Sequence, residues 1–537
     1  MSTDQPPPAA ASAPPPTAAD GPEASPPGTH DLRAARVVAA GLLLSKPTGY
    51  LRDALLAARF GTGSAMGAYT LASTAGTAIF DVIGTPLTRV LVPVLVAARR
   101  RRGAAGLART AMAVLWAEGA LALLAAVLLL LFAGPVATAL AGRAGPLRAD
   151  LAVLLRWLSL LPFAMVLSAY ATAWLQAAER FTLPAFAGLP FDLSIIAFVL
   201  FAGHHGILAA AWGLLLGTFA QYALQWPGLR RFGHRVRFLH PRDALGDPGL
   251  GATARMAVPL LGSAAAVETV NLLQQALAAR LPVGTVAALG YALRVLDLPS
   301  ALFILPATAV VLPRLAAFAA AGEGGTADRL FREAAWALFT GLLPCALLLG
   351  TLAGPVAAAL YEHGAFGARS AASMARCLVG LSPGVVTFGL QQLLRARFYA
   401  RQDARTPLRW DLAALAATAA FDLLTYRSMG GLGLALGWSA GSAVAWIGMS
   451  VEGRRGIVRR PAGADLLPLG AGAAALLGAV LLLHGHVPAW LGHRPWRLGL
   501  AEVATVGPAG ACAYFLAVAA AGGRGLLRGL GGQLRRT

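Results

Sequence analysis

Six basic residues, Lys46, Arg52, Arg89, Arg156, Arg294 and Arg376, lie inside stretches otherwise apolar enough to cross a bilayer. A charged side chain near the centre of a membrane helix costs at least about 2.5–3.5 kcal/mol, so each is expected to face a cavity, a partner or the interface. The densest group is Ser45, Lys46, Gly49, Arg52 and Asp53. Steps of three, four and seven place them on one broad helical face. Pro47, lacking a backbone N–H, is expected to bend that helix near its middle. Such a face suits binding of a charged ligand; the plainer alternative is that Arg52 and Asp53 snorkel to the membrane surface. A second group, Tyr291, Arg294 and Asp297, recurs at i, i+3 and i+6 and is followed by Pro299. It fits a ligand contact or a self-contained Arg294–Asp297 pair at helical spacing, and the two are compatible. Glu268 and Asn271, Asp81 and Arg89, and the single acids Glu118, Asp192 and Asp422 either line a cavity or bond across helices, with the structural role favoured.

Other chemistries lack their residues. The histidines form no two-His, one-carboxylate cluster, so no catalytic metal is expected. Cys345, Cys377 and Cys512 sit far apart in apolar segments, without metal or redox spacing. No phosphate-binding loop appears, which argues against ATP hydrolysis by this chain. An enzyme would need a carboxylate or histidine cluster in a sizeable loop. The longest loop, about 227–253, offers only Arg, Asp243, Asp247 and scattered His. The expectation is a transporter with no cofactor, not an enzyme.

These residues must be positioned by membrane helices. Of 537 residues, 57% are hydrophobic and 13% charged, with a mean hydropathy of +0.65. Soluble chains carry about 25% charge, so this is an integral membrane protein. A helical span needs about 20 mostly apolar residues, and the long, non-alternating runs place fourteen. They lie near 34–57, 65–97, 107–133, 150–175, 182–202, 206–226, 254–279, 284–312, 333–358, 371–394, 407–426, 430–450, 464–484 and 499–521. Residues 1–32, rich in Pro, Ala and Ser, are expected to be a disordered cytoplasmic tail. That tail has no secretory-signal pattern, so the first span itself is expected to direct insertion.

The net charge of +20 then finds its place. With both termini cytoplasmic, thirty of the 44 basic residues fall in inner loops and tails, eight in outer loops and six within spans. That bias matches the positive-inside rule and leaves no basic stripe for nucleic acid.

The sequence also repeats. Phe132-Ala-Gly-Pro-Val recurs as Leu352-Ala-Gly-Pro-Val, and Pro93 matches Pro313, both at an offset of 220. The segment 176–184 resembles 404–407 in its ending, at 223 or 224. The expected fold is therefore all-α, with two six-helix lobes in pseudo-twofold repeat plus two C-terminal helices. The lobes are placed at 33–228 (spans 1–6) and 254–461 (spans 7–12), joined by a basic cytoplasmic linker at 229–253. Spans 13 and 14 occupy 462–523, and a basic tail follows at 524–537. An even repeat unit puts the pseudo-axis along the membrane normal, with a substrate site between the lobes.

The stretch from Ser45-Lys-Pro-Thr-Gly-Tyr-Leu-Arg-Asp to Arg59-Phe-Gly61 resembles the opening of the MurJ/MviN family, bacterial lipid II flippases of the MATE-like flippase superfamily. Leu175-Gln-Ala-Ala-Glu-Arg-Phe-Thr-Leu-Pro184, Gly290-Tyr-Ala-Leu-Arg-Val-Leu-Asp-Leu-Pro-Ser300, Leu360-Tyr-Glu-His-Gly-Ala-Phe366 and Phe398-Tyr-Ala-Arg-Gln-Asp-Ala-Arg-Thr-Pro407 are similar to further family motifs. The last is the most specific, and the resemblance spans roughly 34 to 520. It implies a flippase moving the undecaprenyl-diphosphate-linked peptidoglycan precursor from the inner to the outer leaflet of the bacterial cytoplasmic membrane by alternating access. A cationic cavity would grip the diphosphate, which suits the planar donors of arginine. Arg52, Asp53 and Arg294 fall on the family's cavity positions, Ser45 keeps the serine, and Lys46 keeps a positive charge where arginine is usual. Asp297, Glu268, Asp81 and Arg89 are further cavity or coupling candidates. The last two spans resemble the family's groove for the lipid tail.

The chain also departs from the pattern. Gly67 stands where the family usually has an aspartate opening the second span. A paired-arginine stretch is replaced by Gly76-Thr-Ala-Ile-Phe-Asp-Val-Ile-Gly-Thr-Pro86, with Arg89 the only nearby cation, and Leu293 replaces an acid before Arg294. The alternatives are a flippase for another lipid-linked saccharide, a cation-coupled drug exporter of the same superfamily, or an inert scaffold for cell-wall synthesis proteins. The sequence does not give the energy source; an inward-negative membrane potential acting on cavity charges, or ion coupling, could contribute.

Overall fold

The computed structural model describes residues 29–142, 145–231, 244, 246–453, 463–484 and 494–523, and every regular element among them is helical. The expected tails at 1–28 and 524–537, and most of the expected linker, lie outside the described residues. The first half contains α1 (Thr29–Phe60), α2 (Ser64–Leu131), α3 (Ala133–Ala141), α4 (Pro146–Trp157), α5 (Leu161–Ala177), α6 (Thr182–Phe186), α7 (Gly188–Phe201) and α8 (Ile207–Arg231). The second contains α9 (Pro248–Ala278), α10 (Thr285–Pro299), α11 (Leu305–Ala320), α12 (Gly324–Thr351), α13 (Ala353–Tyr361), α14 (Ala368–Ala400), α15 (Arg405–Met429) and α16 (Gly431–Gly453). Helices α17 (Gly463–Leu483) and α18 (Pro495–Ala520) pair with each other and pack on α12 and α13.

Among the described residues, eleven helical segments are long and apolar enough to cross a membrane, or twelve if Pro248–Val258 and Leu260–Ala278 form one span bent by 46°. The bend falls at Pro259, which has no N–H to continue the ladder. Helices also occupy the expected first and eleventh positions, α1 and α15, but neither enters that count. In α15 the polar content is the obstacle: Arg405, Arg409, Asp411, Asp422 and Arg427 interrupt the apolar run. The expected spans 65–97 and 107–133 are the two arms of α2, Ser64–Gly103 and Ala105–Leu131, which separate at Gly103 (φ 65°, ψ −160°) beside the arginine cluster 99–102. The expected span 333–358 is two helices, because the chain leaves helical geometry at Leu352 (ψ 23°). Pro47 lies inside α1, which continues as helix on both sides of it. The helix passes through it with the Thr48 hydroxyl bonded back to the Ser45 carbonyl at 2.8 Å.

The internal repeat is visible in the backbone. Phe132 (φ −98°, ψ 16°) and Leu352 (φ −99°, ψ 23°) adopt the same break, and each is followed by a nine-residue helix, α3 or α13. Glu179 (φ 61°) and Gln402 (φ 60°), 223 apart, are the only positive-φ non-glycine residues among those described. Each closes its helix with the same turn: Arg180 N–H donates to the Leu175 carbonyl, and Asp403 N–H to the Phe398 carbonyl. Small residues let helices approach at matching places. A Cβ at Gly213 or Gly217 would meet the α7 backbone at 2.7–2.9 Å, and one at Gly437 or Gly441 would meet Asp422 or Thr418 of α15 at 2.0 Å.

The halves meet along α2 with α9 and α10, and α1 with α13. At one end Asp247 caps α9 by accepting from Gly249 N–H (2.8 Å) while also accepting from Thr110 (3.0 Å) and Arg102 (3.3 Å) of α2. At the other end two loops interlock. Ala365 N–H donates to the Ala58 carbonyl at 2.7 Å, and Thr62 and Ser370 hydroxyls lie 2.7 Å apart. Gly364 (φ 56°) faces Ala58, and Gly61 (φ 57°) faces Ala365. A Cβ on either glycine would sit 2.3–2.4 Å from the opposing carbonyl oxygen.

Candidate functional site

Between these two seams lies a polar cavity. It has two parts, of about 360 Å³ and 340 Å³, which share Leu56, Tyr69, Ser73, Thr74 and Arg294 in their walls. The first part is also lined by Arg52, Asp81, Phe191, Glu268 and Asn271, the second by Asp53, Gln275, Tyr291 and Asp297. Its walls therefore come from α1, α2, α7, α8, α9 and α10, which belong to both halves.

The charges form one chain of contacts. Arg52 Nε donates to Asp53 Oδ1 at 2.8 Å, and its Nη1 donates to Asp192 Oδ1 of α7 at 2.7 Å. Asp53 Oδ2 lies 3.1 Å from Arg294 Nη1 on α10. Thr48 donates to Asp192 Oδ2 at 3.2 Å, and the Arg52 guanidinium lies 5.5 Å from the Phe191 ring centroid. Arg52, Asp53 and Asp192 are buried, 9%, 4% and 5% exposed, whereas the Arg294 side chain is 45% exposed, into the cavity that it lines. Asp53 thus bridges a buried cation of the first half to an accessible cation of the second.

Three expectations about this site need correction. Arg294 does not pair with Asp297 as the helical spacing suggested; it reaches across to Asp53. Asp297 lines the second part of the cavity instead. Arg52 and Asp53 do not snorkel to the surface, since both are buried and paired. The cavity is not simply cationic either: its two arginines face Asp53, Asp81, Glu268 and Asp297 across the walls, with Asp192 behind Arg52.

The remaining candidates separate by position. Asp81, which accepts from Thr85 at 2.9 Å, and Glu268, which accepts from Asn271 at 3.3 Å, line the first part. Ser45 packs on α7, where a Cβ at Gly188 would stand 2.6 Å from its hydroxyl. Lys46 is exposed and outside both parts of the cavity. Arg89 lies on α2, with its side chain outside the described residues. Asp422 accepts from Gln274 at 3.2 Å, a bond between α9 and α15. Asp192 is the residue that the sequence underweighted. Its one signal was being the only acid in the apolar run 182–202.

An anion reaching Arg294 either displaces Asp53 or shares the guanidinium with it. The spare guanidinium donors and neighbouring Tyr69, Ser73 and Thr74 suit a phosphate-like group.

The family model described as Lipid II flippase MurJ matches residues 56–494. The lipid II flippase MurJ of Burkholderia cenocepacia is 26% identical over 425 residues, covering 77% of this chain and 81% of the relative. A solved structure of lipid II flippase MurJ in an inward closed conformation shares the fold with a TM-score of 0.76 at 17% identity, over 90% of this chain and 98% of that one. An inward-facing multidrug resistance MATE family transporter of the MOP superfamily matches with a TM-score of 0.67 at 16% identity, over 79% and 97%.

Proposed function

Because the chain belongs to the Lipid II flippase MurJ family, we propose that it moves lipid II, an undecaprenyl-diphosphate-linked peptidoglycan precursor, from the inner to the outer leaflet of the bacterial cytoplasmic membrane by alternating access. The observation that carries this reading is the Asp53 bridge between Arg52 and Arg294 in a cavity walled by both halves. Arg294 receives the diphosphate, and Arg52 sets the position of Asp53. As the anion takes donors from Arg294, the contact between the halves at Asp53 loosens, so that occupancy and rearrangement are linked. The excess of arginine in one set of loops orients both termini toward the cytoplasm. An anion leaving a negative interior gains about 2.3 kcal/mol per charge per 100 mV, which can contribute to the driving force.

Replacement is the test. In cells depleted of their own lipid II flippase, this chain is expected to restore growth and the access of an external enzyme to lipid II. Full membrane insertion without either result would overturn the reading. A second reading, a flippase for another lipid-linked saccharide, is favoured by the excess of acids over arginines in the cavity walls. It predicts no rescue of lipid II export while a different lipid-linked sugar reaches the outer leaflet.

A further inference from the structure

The Asp53 contact with both arginines requires something else to hold Arg52. We infer that Asp192 is a positioning residue that anchors Arg52 from α7, so that Asp53 is shared with Arg294, and that it thereby tunes how readily an anionic diphosphate takes Arg294. This rests on the transport reading above for the identity of the anion, but the geometry stands without it.

Arg52 is 9% exposed and its guanidinium is divided between two carboxylates. Nε and Nη2 approach Asp53 Oδ1 at 2.8 Å, whereas Nη1 approaches Asp192 Oδ1 at 2.7 Å. Asp53 is thus engaged on Oδ1 alone, which leaves Oδ2 for Arg294 at 3.1 Å. Asp192 is fixed in turn. Its Oδ2 lies 3.2 Å from the hydroxyl of Thr48, one helical turn before Arg52, and that hydroxyl divides its single proton between Asp192 and the Ser45 carbonyl at 2.8 Å. Gly188, one turn before Asp192 on α7, brings Ser45 of α1 so close that a Cβ there would meet its hydroxyl at 2.6 Å. The two helices are therefore docked at two successive turns, and the carboxylate has little room to leave.

With the Asp192 charge removed, Asp53 becomes the only one of the two carboxylates left to serve both guanidinia. A buried cation loses more by being unpaired than one that water can reach. Arg52 is the buried one, so Asp53 is expected to move onto Arg52 and release Arg294, whose side chain is 45% exposed.

The test uses the full chain in nanodiscs and reads phenylglyoxal modification of Arg294 by site-resolved mass spectrometry. Asp192→Asn is expected to raise the modification rate of Arg294 about tenfold, and to lower by about tenfold the inorganic pyrophosphate concentration that protects it, the scale of one charged hydrogen bond. Asp192→Glu is expected to stay within about twofold of the parent chain. Arg52→Gln combined with Asp192→Asn is expected to return Arg294 to the parent rate or below, because Asp53 then has no competing cation. Unchanged Arg294 reactivity in Asp192→Asn, or an equal rise in the double variant, overturns the inference. Should Asp192→Asn unfold, seen as faster modification of arginines throughout the chain, Thr48→Val decides: about a threefold rise at Arg294 is expected from loss of the hydroxyl that holds Asp192, and no change overturns the inference. A chain that fails to move lipid II while Arg294 responds in this way refutes the transport reading alone.

Discussion

The interlocked loops beyond the cavity offer the most quantitative prediction. Gly364→Ala places a Cβ 2.3 Å from the Ala58 carbonyl oxygen at a residue whose φ is 56°. A left-handed conformation costs a non-glycine residue about 1–2 kcal/mol. Relieving the overlap also means lengthening the 2.7 Å bond from Ala365 N–H to the Ala58 carbonyl, worth about 1 kcal/mol. The substitution therefore penalises the interlocked arrangement by about 2–3 kcal/mol, which shifts an equilibrium by about 30- to 150-fold. If separating these loops opens the cavity on the side to which the arginine distribution assigns Arg59, the outside, access from that side must rise. Ser73, which lines both parts of the cavity, is the reporter. In a background with Cys345, Cys377 and Cys512 replaced, Ser73→Cys is labelled in intact cells with a membrane-impermeant maleimide. Gly364→Ala is expected to accelerate labelling by up to the factor above, and Gly61→Ala to do the same, since its Cβ meets the Ala365 carbonyl at 2.4 Å. Labelling that is unchanged in both variants, with the protein present at its normal level, would refute the idea that this seam closes the outer end.

Other outcomes follow from charges away from the cavity. Asp328 receives Arg397 (3.1 Å) and Arg401 (3.2 Å), and Arg397, only 4% exposed, also lies 4.8 Å from the Phe331 ring centroid. Asp328→Asn is expected to cost about 3 kcal/mol by leaving a buried cation without its carboxylate, read as a lower melting temperature that Arg397→Gln partly restores. In the loop before α15, Asp403 is desolvated, which works against its charge, but bonds from the Thr406 and Arg405 N–H groups outweigh this and hold its carboxyl below the usual range. Its contribution is present above the unfolded value of about 3.9 and fades as pH falls through its depressed folded value. Asp403→Asn is expected to flatten the stability profile below about pH 4, and an unchanged profile would count against the cap.

Much of this architecture is legible in the sequence because apolar length is a strong signal, and because repeats preserve local chemistry. The Ala-Gly-Pro-Val pair marked two backbone breaks with matching dihedrals, although the sequence did not say that breaks were what they encoded. Proline was the weaker guide. The helix continues through Pro47, while the 46° bend at Pro259 and the π-helical turn at Ser300–Ile304 just after Pro299 both went unread. Whether a freed carbonyl bends a helix depends on what neighbouring helices supply to it, which is tertiary information. At the site, Arg52, Asp53 and Arg294 stood out because charge is costly in lipid, but their partners did not. Helical spacing nominated Asp297 for Arg294, whereas a residue 241 positions earlier holds it. Asp192 carried no local pattern, since its significance lies wholly in the docking of α7 on α1.

The central claim is that Arg294, held by Asp53 across the two halves, is where the diphosphate of lipid II binds. Its most direct test is lipid II export in cells that depend on this chain, comparing the parent with Arg294→Ala and Arg294→Lys at matched membrane levels. Loss of export in Arg294→Ala and a partial return in Arg294→Lys, which keeps the charge but not the planar donors, is the predicted result. Undiminished export by Arg294→Ala contradicts the account.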